Sequence, residues 1–85
     1  MILESPLGAL GDSTRRRVFE RLKSGPMSVG RLAQGMKEFS RPAVSHHLKI
    51  LKEAGLVREY REGRKRVYEI DREGLGAVQR WLDQF

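Results

Sequence analysis

Residues 40–57, Ser-Arg-Pro-Ala-Val-Ser-His-His-Leu-Lys-Ile-Leu-Lys-Glu-Ala-Gly-Leu-Val, constrain the fold more than any other stretch of the chain. They read as one helix with a capped start, a glycine stop and two chemically different faces. Ser40 can accept a hydrogen bond from a free N–H of the first turn. Pro42 lies in that turn, where its missing N–H costs little. Gly55 supplies the left-handed backbone that ends a helix. Val44, Leu48 and Leu51 fall at i, i+4 and i+7 and share a stripe suited to burial. Arg41, Ser45, His46, Lys49 and Lys52 point the other way, with donors for phosphates and base edges and almost no apolar surface. A helix divided in this way suits a DNA major groove.

The 85 residues make one small domain, 1–85, with a modest core that pairing with a second copy would help to stabilise. The net charge of +6 favours a polyanionic partner: DNA, RNA or an anionic membrane surface. Solubility alone is the plainer reading of that charge. The absence of cysteine excludes disulfides, thiolate metal sites and thiol redox sensing within the chain. Met-Ile-Leu-Glu-Ser-Pro at the start has no basic region followed by a long apolar core, so it does not read as a signal peptide. No apolar run approaches the ~18 residues of a membrane span. The expectation is a soluble cytoplasmic protein with no membrane partner.

Residues 2–10, with Ile2, Leu3, Leu7 and Leu10, suggest a short helix or helical turn. Asp12 or Ser13 should cap a helix running to about Lys23, with Val18, Phe19 and Leu22 inside. Arg15, Arg16 and Arg17 sit early in it and cannot all face one way. They are either a solvated face or, for one or two of them, phosphate contacts. Ser24-Gly25-Pro26 reads as a loop. Ser28 should cap a short helix over 29–36, with Val29, Leu32, Ala33 and Met36 inside. Lys37-Glu38-Phe39 then turns the chain into the helix at Ser40, which gives a helix-turn-helix over about 29–54. Residues 56–70 change period. Val57–Arg61 and Arg66–Ile70 read as two strands, with Tyr68 and Ile70 on the core face. Gly63 provides the positive φ that the turn between them needs. Arg58, Arg61, Arg64, Lys65 and Arg66 make this hairpin strongly basic, a wing. Asp71 caps a last helix over 71–85, where Leu75, Val78, Leu82 and Phe85 form a stripe with Trp81 beside it. The stripe is large for the end of a small domain, and one copy of the domain leaves part of it uncovered. The expected fold is therefore α+β and mostly helical.

Three segments carry a resemblance over nearly the whole chain. They are Leu7 to Arg17, the run from Pro42 to Val57, and the hairpin Arg61-Glu62-Gly63-Arg64-Lys65-Arg66-Val67-Tyr68. Together they resemble the ArsR/SmtB family of winged-helix bacterial transcriptional repressors. The resemblance implies a winged helix-turn-helix with a two-stranded wing over about 56–70. It implies a homodimer built largely from the first and last helices, about 2–10 and 72–85, and an imperfect palindromic operator in duplex DNA. Metal-sensing members carry cysteines near the recognition helix, or His and acidic residues on the last helix. Here Ser28 to Ala33 has no cysteine and 71–85 has no histidine, so no metal site is carried over.

On this reading Arg41, Ser45 and His46 are the candidates for base contact, Arg41 by a bidentate bond to guanine. A phosphate contact is the alternative for Arg41. Ser40, Lys49, Arg15 and the wing-tip Arg64, Lys65 and Arg66 are candidates for the DNA backbone or minor groove. Leu3, Leu7, Val78, Trp81, Leu82 and Phe85 are candidates for the dimer interface. His47 lies on the buried side and reads as a satisfied, partly buried histidine. A metal site on the His46-His47 pair would want two further ligands. Tyr60 and Tyr68 read as structural. No catalytic constellation and no cofactor motif stands out, so no enzyme is expected. An effector-responsive repressor and a winged-helix protein-interaction module are the competing functions. The latter would want an apolar or acidic recognition face.

Overall fold

In a computed structural model, which describes residues 4–85, four of the helices begin where a short polar side chain satisfies a free backbone donor. The Asp12 carboxylate accepts from Arg15 N at 2.9 Å and opens α2 (Ser13–Arg21), which follows α1 (Glu4–Leu10). Ser28 Oγ accepts from Arg31 N at 3.2 Å and opens α3 (Val29–Gln34). Ser40 Oγ accepts from Ala43 N at 3.2 Å and opens α4 (Arg41–Glu53), with Pro42 in its first turn. Asp71 accepts from Glu73 N at 3.1 Å and opens α5 (Arg72–Leu82). Gly55, at φ 79°, ends α4. Its N–H returns to Lys52 O and that of Leu56 to Leu51 O, each at 3.0 Å, so two helix-end carbonyls are satisfied together.

The strands are β1 (Met27–Ser28), β2 (Val57–Glu62) and β3 (Lys65–Ile70), antiparallel in the order β1-β3-β2. The expected two-stranded wing is β2 and β3, joined by Gly63 (φ 63°) and Arg64. Glycine at the first of two loop residues is a preferred hairpin arrangement. The third strand was not expected. Met27 and Ser28 pair with Tyr68 and Val67, which fastens the wing to the start of α3. Boundaries differ elsewhere too. The helix expected to reach Lys23 tightens into a 3-10 turn at Leu22–Ser24, and the one expected to reach Met36 stops at Gln34.

Val18, Leu32, Val44, Leu48, Leu51 and Leu56 are fully buried, and Leu22, Met36 and Val57 nearly so. They form one core between α2, α3, α4 and the sheet. Each such aliphatic side chain contributes roughly 1.5–3 kcal/mol by leaving water. Tyr68 joins this core and Ile70 packs against it, as the alternation along β3 required.

The last helix differs. Only Val78 of α5 is buried, Leu75 and Trp81 are half-buried, and Leu82 is 54% and Phe85 90% exposed. Phe85 lies beyond the helix end, its ring edge-on to Trp81 at 5.2 Å. Leu7 is half-buried, and Leu3 lies outside the described residues. α5 begins close to the turn that ends α4. A Cβ on Gly74 would stand 1.8 Å from the Gly55 carbonyl oxygen, so the two backbones touch directly. Asp71 N–H also bonds Leu56 O at 2.9 Å.

Candidate nucleic-acid interface

Burial of Val44, Leu48 and Leu51 turns the opposite side of α4 to solvent, and Arg41, Ser45, His46 and Lys49 are all exposed there. The wing rises beside it. A cleft of about 660 Å³ runs between them, lined by Arg41 and Ser45 of α4 and by Arg61, Arg64, Lys65 and Arg66 of the wing. A second depression of about 410 Å³ adjoins it and is lined by Ser45, His46, Lys49, Lys52, Glu59, Arg66 and Tyr68. Ser45 and Arg66 border both. The residues expected to meet bases therefore lie together with most of those expected to meet the backbone. Ser40 uses its Oγ lone pair as the α4 cap.

Sequence reasoning missed Arg31 and Gln34 of α3 and counted Arg61 of β2 only toward the wing's charge, and all three complete the larger cleft. For Arg61 a signal was available. Hairpin register sets it directly opposite Arg66, whereas Glu62 faces Lys65, and Arg58 pairs with Glu69 at 2.6 Å. Like charges facing across two strands destabilise a hairpin unless an anion covers them.

One acid interrupts this surface. Glu59 accepts from Tyr68 Oη at 2.5 Å and from Lys52 Nζ at 3.1 Å, and lies 3.6 Å from Arg66. The Tyr68 hydroxyl, then Lys52, hold the Glu59 carboxyl below the usual carboxylate range. Burial, helped by the Glu59 charge, pushes the Tyr68 hydroxyl up to about 12. Tyr68 is structural, as expected, but its hydroxyl also aims this acid.

Arg15 stands apart. It is half-buried, its guanidinium donates to the Ala9 carbonyl at 3.3 Å, and its Nε is buried without a hydrogen-bond partner. His47 lies nearby and is half-buried as expected, but Nδ1 has no hydrogen-bond partner, so the satisfied histidine is corrected at that atom. Desolvation, then the Arg15 charge, hold its pKa below the ordinary histidine value. Among the described residues no three His, Cys, Asp or Glu side chains come together as a metal site.

A helix-turn-helix whose second helix shows free donors beside a basic hairpin defines a winged-helix DNA-binding protein. A helix-turn-helix domain family matches residues 10–60. The chain is 52% identical over 77 residues to the HTH-type transcriptional regulator Rv2034 of Mycobacterium tuberculosis, covering 91% of this chain and 71% of that one. It is 35% identical over 77 residues to the transcriptional repressor SdpR of Bacillus subtilis, covering 91% and 84%. Among solved structures, an ArsR-like transcriptional regulator from Rhodococcus sp. RHA1 superposes with a TM-score of 0.87 at 32% identity, covering 96% and 76%. The homodimeric winged helix-turn-helix domain Mb0332 of Mycobacterium bovis, a possible ArsR-family regulator, superposes at 0.78 with 26% identity, covering 96% and 79%. The chain belongs to the ArsR/SmtB family of winged helix-turn-helix transcriptional regulators.

Proposed function

We propose that the protein is a homodimeric repressor that binds a palindromic operator in duplex DNA, with one α4 in each of two successive major grooves. The observation that carries this reading is the cleft between α4 and the wing. Arg41, Arg61, Arg64 and Lys65 line it with no ion pair among the described residues. Arg41, Ser45 and His46 are assigned to base edges. Ser40, Lys49, Arg64, Lys65 and Arg66 are assigned to the backbone, where they fix register without reading sequence. Arg15 is left out because its guanidinium is engaged at Ala9.

Dimerisation is assigned to α5 and the residues after it, with α1. The exposed Leu82 and Phe85 beside Trp81 support it, as does the homodimeric Mb0332 domain of similar fold. Repression is supported by the resemblance to the transcriptional repressor SdpR, and occupation of a promoter is its proposed mode.

Selection of bound fragments from genomic DNA, followed by binding to the best site across a salt series, tests the reading. It expects inverted half-sites about one helical turn apart, bound by a dimer, with affinity falling steeply as salt rises. Equal binding to random duplex would overturn it. Leu82→Ala should shift the dimer toward monomer in sedimentation and weaken operator binding roughly tenfold or more, though Leu82 touches no DNA. A wild type that stays monomeric at micromolar concentration would refute the dimer.

A further inference from the structure

We propose that Glu59 is the positioning residue that sets α4 and the wing in one register on DNA, by holding Lys52 and Arg66 on a single carboxylate. The inference rests on the DNA-binding reading above and names a determinant of specificity that is not itself a DNA contact.

A carboxylate on a surface built for phosphates opposes binding by simple charge. Glu59 nevertheless stands within that surface, bordering the depression formed by Ser45, His46 and Lys49. It is not a loose solvated acid. Its side chain is only 20% exposed, and both oxygens are engaged, one with Lys52 and the other with Tyr68 and, at 3.6 Å, Arg66. Tyr68 is itself 6% exposed and part of the core. The acid is therefore tied to the rigid part of the domain, and the cations are tied to the acid. Lys52 comes from α4 and Arg66 from β3, so one carboxylate joins the two elements that must meet DNA together. Both cations remain more than half exposed, at 51% and 63%, and keep a side open to a phosphate.

Two consequences follow for binding. Lys52 and Arg66 lose rotamer freedom before DNA arrives, so less is lost on docking to phosphates at the matching separation. Their charge is also partly neutralised, which weakens attraction to DNA of any sequence. Specificity is a difference between affinities, and a device that lowers the unwanted one raises it. Direct reading of cytosine by Glu59 is the less apt role, because its oxygens already accept bonds within the protein.

The test is Glu59→Gln, which keeps the size and can still accept from Tyr68. Binding is measured to the operator selected by the wild type and to a random-sequence duplex, across a salt series. On random duplex the variant should bind about 3–10-fold tighter at low salt. The slope of log K against log salt should steepen by about 1–2 as two cations are released. The operator should gain less, so the ratio of operator to random affinity should fall, by about 2–5-fold. Tyr68→Phe removes only the hydroxyl that aims the acid and leaves every charge in place, and it should lower the ratio in the same direction. An unchanged slope on random duplex, an equal gain on both DNAs, or an unchanged ratio in Tyr68→Phe would overturn the proposal. If the wild type itself prefers no site, the operator reading falls, while the slope on random duplex still decides whether Glu59 restrains the two cations.

Discussion

The arginines of α2 and those around the α4–wing cleft look alike in the sequence, yet the fold uses them differently. On α2, three of the four find partners within the protein, and Arg16 stays exposed. Arg15 donates to Ala9 O, Arg17 pairs with Glu38 at 2.6 Å and lies 5.7 Å from the centre of the Phe39 ring, and the Arg21 guanidinium occupies the space beside Gly35. A Cβ on Gly35 would come within 2.0 Å of that guanidinium, although the glycine backbone is ordinary (φ −83°). Arg21 thus sits at the C-terminal end of α3, where a cation is favoured. In the cleft, Arg41, Arg61 and Arg64 have no ion pair among the described residues. A net charge of +6 counts both groups equally. Only the partners that the fold supplies separate cations that hold helices together from cations left for a polyanion.

That contrast can be broken by substitution. The largest effect is expected for Arg41→Ala combined with His46→Ala. Fluorescence anisotropy should show a loss of about 2–4 kcal/mol in operator binding, on the scale of one or two base contacts. Thermal melting should be nearly unchanged, and a large drop in melting temperature would show that these side chains also hold the fold. Next is Lys65→Gln at the wing, which should weaken binding to every sequence alike and make the salt slope shallower by about 1. A sequence-dependent loss would move Lys65 from the backbone to base readout. Arg21→Ala should do the reverse of both, costing about 1 kcal/mol in denaturant unfolding through lost packing and helix-end charge while leaving the salt slope alone. A shallower slope would place Arg21 on the DNA.

The smallest effect is one of pH. His47 has a folded pKa below 6.5, so its neutral form is the one the fold favours. Its contribution is present above about pH 6.5 and is lost as pH falls toward the folded value, because the unfolded chain takes up the proton first. The denaturation midpoint should decline over that range, and less so in His47→Gln. At the alkaline end Tyr68, raised from 10.0 to about 12, should lose its contribution as pH rises between those values. An identical acid profile in His47→Gln would remove His47 as the cause.

Local chemistry made most of the helices legible. Asp12, Ser28, Ser40 and Asp71 are capping residues ahead of apolar periodicity, and Gly55 marks a stop, so α2 to α5 could be read from single residues. Strand β1 could not. Met27 and Ser28 are too short a run to show alternation, and they are a strand only because Tyr68 and Val67 lie alongside. The candidate site divides in the same way. Arg41, Ser45, His46 and the wing tip were visible because helix phase and the Gly63 turn place them. Glu59 was not, since an acid in a basic hairpin looks like ordinary solvated charge. Tyr68 lies opposite it across the hairpin, but Lys52 meets it only once the sheet packs on α4. The inward turn of Arg15 was hidden for the same reason, because the carbonyl that it finds belongs to the preceding helix.

The contact between Gly74 and Gly55 makes the seam of the proposed dimer and the reading head of each protomer share one joint. No side chain lies between the two backbones at that point, so they meet there directly. A tilt of the last helix at that point would press on the turn that ends the recognition helix, as a lever bears on its pivot. In the proposed dimer, the spacing between two such reading heads on a duplex would then follow from how the last helices pair, at a point far from any base.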